Sequence, residues 1–173
     1  MRLLFSLLLG LSIVLTGCLN LPEITLAAPT PEIAALPLVK NLFAGESPDN
    51  LGLTNDRLSP CPLTPNCVVS QGDDTDRAIL PITYSVDTEK AREYLLKVLA
   101  VVPGTTIVET GDNYIRSQSS SRLLGFIDDT EFYFPSNEKI IHMRSASRLG
   151  ESDLGVNRRR LEQIRLALQD LNI

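Results

Sequence analysis

Gly125–Asn157 reads GFIDDTEFYFPSNEKIIHMRSASRLGESDLGVN, and its pattern decides the fold. Phe126–Phe134 and Ile140–Ser147 carry the two-residue alternation of strands, and Pro135-Ser136-Asn137-Glu138 between them has turn composition. Alternation assigns the faces. Phe132, Phe134, Ile141 and Met143 fall together with Ile115 of the preceding strand. Glu131, Tyr133, His142 and Arg144 fall on the other side, with Tyr114 and Arg116. A polar loop then leads into a closing helix from about Asn157 to Leu171, whose apolar stripe is Leu161, Ile164, Leu168 and Leu171.

Working upstream, Thr106–Glu109 and Tyr114–Ser119 are predicted strands around a Gly-Asp-Asn turn. Before them Asp87 is placed to cap a helix with Ala91, Leu95, Val98, Leu99 and Val102 on one face, stopped by Pro103-Gly104. Ile79–Ser85 reads as a first strand, at an edge because of Pro81. The order β-α-β-β-β-β-α defines an α+β domain: an antiparallel four- to five-stranded sheet with two helices packed on one face. The other face is expected to be wet, or free for a partner.

The chain of 173 residues divides into three parts. Met1–Gly17 places Arg2 before an apolar run, the layout of a secretory signal, and the run falls short of the roughly 20 apolar residues of a membrane span. Residues 18–50 hold several prolines and read as a tether; residues 51–173 are expected to form one domain. The run ends Leu15-Thr16-Gly17-Cys18, which resembles the lipobox of bacterial lipoproteins. The resemblance implies lipidation of Cys18 and a domain held at the membrane surface by acyl chains. Cleavage near Ala27-Ala28 and an uncleaved anchor are the alternatives. The other two cysteines, Cys61 and Cys67, enclose five residues; in an exported protein that spacing favours a small disulfide loop over a metal site, for which further ligands are lacking. The expected location is therefore the periplasmic or thylakoid-lumen side of a bacterial membrane.

A formal charge of −5 and the absence of tryptophan argue against nucleic acid and against an aromatic stacking platform. No phosphate-cradling glycine loop is present, and no metal or other cofactor is implied. Glu131, His142 and Arg144 have two readings. Charges on neighbouring strands stabilise a solvated face by roughly 0.2–1 kcal/mol per pair, or they line a shallow site for an anionic ligand or a protein. Arg158, Arg159 and Arg160 open the last helix, where its dipole disfavours positive charge. Asp128, Asp129 and Asp153, or a bound anion, are the candidates to offset them; Arg148 or Arg158 could pair bidentately with Asp128 or Asp129.

Three segments, PNCVVSQ (Pro65–Gln71), FIDDTEF (Phe126–Phe132) and RSASRLGESDLGVNRRR (Arg144–Arg160), resemble the hallmark segments of domain-of-unknown-function family 1499. The resemblance spans about Leu53 to Leu168. It implies the domain's extent, and it groups Asp128, Asp129, Arg144, Ser145, Ser147, Arg148, Ser152, Asp153 and Asn157 as one constellation without assigning a reaction. The functional expectation is a membrane-tethered, non-enzymatic extracytoplasmic domain that binds a protein partner, such as a membrane protein, or a small anionic ligand. One alternative is a hydrolase-like enzyme using the Asp/Arg/Ser constellation, with His142, Asp128 and Ser145 or Ser147 as a triad, although no G-x-S-x-G pattern surrounds the serines. Another is a structural subunit of a membrane complex, photosynthetic if the source is a cyanobacterium.

Overall fold

The structure, a computed structural model, describes residues 43–72 and 74–173. The expected signal sequence, Cys18 and the expected tether as far as Leu42 lie outside the described residues. Among the described residues, two helices and a mostly antiparallel sheet make an α+β fold. The strands are β1 (Leu53–Thr54), β2 (Arg57–Leu58), β3 (Cys67–Val69), β4 (Ile82–Thr83), β5 (Thr105–Thr110), β6 (Tyr114–Ser120), β7 (Ile127–Tyr133) and β8 (Ile140–Ser147). Helix α1 is Thr88–Val101 and helix α2 is Val156–Asp170.

The main sheet has six strands, one more than the upper sequence expectation, in the order β3-β8-β7-β6-β5 with β4 also paired to β8. Strands β3 and β4 share one edge of β8, at Ala146–Arg144 and Ile141–Ile140 respectively. Strand β4 is shorter than Ile79–Ser85 suggests: Pro81 has no N–H for a ladder, and its carbonyl receives Arg165 instead.

Both helices cover the face holding Ile115, Phe132, Ile141 and Met143, all fully buried. Asp87 starts α1 by accepting a hydrogen bond from the Lys90 N–H at 2.8 Å. Ala91, Leu95, Val98 and Leu99 of α1 meet Leu161, Ile164 and Leu168 of α2 over the sheet. After α1 the backbone turns through Gly104 at φ +71°, where a Cβ would lie 2.7 Å from the Ser120 carbonyl oxygen.

The opposite face differs from the expectation. It is not wet. Strands β1 and β2 form a hairpin that lies across it, joined by Asn55 and Asp56, both at positive φ. Leu58 of the hairpin is buried with Val69, Tyr114 and Tyr133 in a second, smaller apolar cluster. The segment before β3 thus supplies a lid, and Cys61 and Cys67 are joined by a disulfide at its end. No helix among the described residues is long and apolar enough to cross a membrane.

Candidate functional site

Strand alternation splits the acidic run of β7 between two faces. Asp128 and Thr130 point toward the helices; Asp129 and Glu131 point toward the hairpin. Each carboxylate meets its own guanidinium. On the hairpin side Arg148 holds Asp129 through Nε to Oδ2 at 2.7 Å and Nη2 to Oδ1 at 3.0 Å, and Arg116 approaches Oδ1 at 3.4 Å. The carboxylate of Asp129 holds the Arg148 guanidinium still more firmly in its charged form. One register step along, the completely buried Glu131 accepts hydrogen bonds from Arg144 Nη1, the Tyr114 hydroxyl and the Gly52 N–H, each at 2.8 Å. The hairpin is thereby tied to the sheet through a charge. Burial first, and then the adjacent Glu131 carboxylate, push ionisation of the Tyr114 phenol far above its ordinary range.

On the helix side Asp128 accepts from Ser147 Oγ at 2.5 Å and from Arg160 Nη2 at 2.6 Å. Asn157, in the first turn of α2 and fully buried, joins the remaining groups. Its Oδ1 accepts from Ser145 Oγ at 2.5 Å and from Arg160 Nη1 at 2.9 Å. Its Nδ2 donates to the Asn66 carbonyl and to Ser147 Oγ, both at 3.0 Å. Thr130 and Ser145 share a further bond at 2.9 Å.

The arginines opening α2 are all engaged within the domain. Arg158 does not reach Asp128 or Asp129; it donates to the Ala78 and Asp76 carbonyls at 2.8 Å. Arg159 donates to the Leu154 carbonyl, and Arg160 takes the aspartate contact. Asp153 accepts from the Gly155 and Asn157 N–H groups at 2.9 and 2.7 Å, so a carboxylate caps the helix and offsets the positive charges. Ser152 accepts only a local bond, from the Leu154 N–H.

His142 lies on the hairpin side of β8, across the sheet from Asp128, Ser145 and Ser147, so the triad considered from sequence is not assembled. Its Nδ1 sits 3.1 Å from Ser70 Oγ, and its ring stacks with that of Tyr133 at 6.1 Å. Ser70 Oγ also accepts from the Met143 N–H, which suits a neutral imidazole accepting at Nδ1. Burial lowers the His142 pKa, with Glu138 opposing and Arg57 assisting. Among the described residues no group of three or more His, Cys, Asp or Glu side chains is placed to hold a metal ion.

Beside the helix-side cluster, at the end of the sheet, is a recess of about 230 Å³. Phe126, Leu149, Leu154 and Val156 form its walls, and Asp128, Ser147, Ser152 and Asp153 its polar edge. The side chains of Phe126, Leu149 and Leu154, like Arg160 and Asn66, were not among the sequence candidates. Helical phase points to Arg160, which lies three residues after Asn157 and so shares its sheet-facing side.

These features define a class: a small antiparallel α+β domain whose central strands β7 and β8 are clasped on both faces by carboxylate–guanidinium pairs, buried at Glu131–Arg144 and partly buried at Asp128–Arg160. The chain belongs to the family described as "Protein of unknown function (DUF1499)", whose model matches residues 57–168. Comparison with curated proteins returns no match, and neither does comparison with solved structures.

Proposed function

We propose that this protein is a membrane-tethered, extracytoplasmic binding domain, and that the recess beside Asp128 receives an apolar group of its partner. The observation carrying this reading is the exhaustion of the charged groups. Arg144, Arg148 and Arg160 are paired with carboxylates, and Arg158 and Arg159 with carbonyls, while the recess is walled by hydrocarbon. An anionic ligand would have to displace bonds already made and would meet Asp128 and Asp153. An apolar group meets no such cost and gains by leaving water. The Cys61–Cys67 disulfide supports an oxidising compartment, and the lipobox-like Leu15–Cys18 supports the anchor.

The test is photocrosslinking in native membranes, with a photoreactive residue at Leu149 and a control at Leu166 on the outer side of α2. Adducts are expected from position 149 and not from 166. Equal yields at both positions, or none at 149, would remove the recess from the proposal.

A further inference from the structure

The two loops that frame the recess are apolar where loops are ordinarily polar. The β6–β7 turn carries Leu123 and Leu124, exposed at 76% and 45%. The β8–α2 loop carries Leu154, exposed at 84%. Leu154 also has φ +53°, a left-handed conformation that glycine or asparagine adopts more readily, so local backbone preference does not account for a leucine there. Isolated apolar side chains on a surface are ordinary, but here the two loops that carry them lie at the same end of the sheet as the hollow, which Leu154 lines with Leu149 and Phe126. Arg122 precedes the leucine pair and is exposed; its aliphatic stem can lie along apolar surface while the guanidinium reaches outward.

Where the chain joins this end identifies the occupant. Phe43, the first described residue, packs its ring 5.2 Å from that of Phe126, a wall of the recess. Gly45 runs on so closely past Arg148 and Leu149 that a Cβ on it would lie 2.9 Å from each side chain. Phe43 and Gly45, the described residues nearest in sequence to Cys18, therefore stand at the apolar end. An anchor at Cys18 would attach to the domain through this end, which favours setting it against the bilayer.

We infer that the rim formed by Leu123, Leu124 and Leu154 is a lipid-facing surface. It seats in the interfacial layer of the membrane, with lipid hydrocarbon as the apolar group that the recess receives. This rests on the tethered reading above and narrows its partner to a phospholipid surface. Arg122 is placed to meet headgroup phosphates.

The chain contains no tryptophan, so a single introduced one reports its own surroundings. Full-length Leu123→Trp and Leu166→Trp chains would be reconstituted with vesicles of phosphatidylcholine and phosphatidylglycerol, with and without bromine on the acyl chains. Both are expected to float with the vesicles. Emission from Leu123→Trp should fall at least about twofold on bromination, while Leu166→Trp is unaffected. Adding Leu154→Glu to Leu123→Trp should restore most of the lost emission. Flotation with no difference in quenching between positions 123 and 166 would overturn the lipid-facing rim and leave the tether standing. Quenching unaltered by Leu154→Glu would also overturn it, since the introduced indole alone would then drive insertion. Failure to float would end both. A protein adduct captured at Leu149 together with an unquenched Leu123→Trp would assign the recess to a protein instead.

Discussion

Arg148 and Asp129 meet as a bidentate pair, with Nε to Oδ2 at 2.7 Å and Nη2 to Oδ1 at 3.0 Å, and the Asp129 side chain is 1% exposed. The pair joins the β8–α2 loop to the middle of the sheet. Removing the guanidinium leaves a buried carboxylate whose remaining cationic neighbour, Arg116, is 3.4 Å away. Arg148→Ala should therefore destabilise the fold by about 2–4 kcal/mol, near the lower end for breaking a buried pair because Arg116 compensates in part. Urea unfolding measures this directly. The double variant Arg148→Met/Asp129→Leu should recover at least half of the loss, because no buried charge is left alone. A single variant with unchanged stability would show that the pair does not hold the loop.

Glu131 fastens the hairpin, and its three donors rank the variants. Glu131→Ala strands the buried Arg144 and should cost about 3–5 kcal/mol. Tyr114→Phe removes one hydrogen bond to a charged group, about 1.5–3 kcal/mol, and leaves the ion pair intact. The raised Tyr114 pKa adds an optical test. In alkaline titration followed by tyrosinate absorbance, wild type and Tyr114→Phe should superimpose until the protein unfolds. A missing step in the variant at the ordinary tyrosine pKa would mean that the phenol is not buried against Glu131.

The faces of β7 and β8 were legible because period-two alternation is strict there: Phe132, Ile141 and Met143 on one side, Glu131, His142 and Arg144 on the other. The lid over the second face was not. Strands of two residues, Leu53–Thr54 and Arg57–Leu58, are too short to show any period. Only Asn55-Asp56, two residues that tolerate positive φ, marked the hairpin turn. The charges of Glu131 and Arg144 therefore suggested a solvated face, whereas the hairpin buries them as a pair. Assigning Arg160, rather than Arg158, to Asp128 needed the phase of α2, which Asn157, Leu161, Ile164 and Leu168 set by their burial. The recess depends on loop conformation at Leu149–Leu154, for which no sequence periodicity exists.

Reduction of Cys61–Cys67 tests how far the lid depends on its staple. The loop it closes is short, so the entropic contribution is modest, about 2 kcal/mol. Cys67 also pairs with Ala146 in the main sheet. Dithiothreitol should lower the unfolding midpoint without abolishing the cooperative transition. Faster hydrogen exchange is expected at Leu58 and Val69 than in α1. Complete unfolding on reduction would mean that the core under the helices is too weak to stand alone.

His142 makes stability depend on pH in a direction that can be derived. Burial disfavours the charged ring, so the folded pKa lies below the usual 6.5, and on acidification the unfolded chain takes up this proton first. The contribution from keeping the ring neutral is complete above pH 6.5 and is lost as pH falls from 6.5 toward the folded pKa. His142 is the chain's only histidine, so no other imidazole contributes in this window. Between about pH 7.5 and 5.5 the melting temperature of wild type should fall more steeply than that of His142→Asn. Glu138→Gln removes the carboxylate that partly supports the charged ring, and should steepen the wild-type slope. The imidazole resonances should titrate below 6.5 in the folded protein. A titration at or above 6.5, or parallel slopes for wild type and His142→Asn, would place the ring in water rather than between Ser70 and Tyr133.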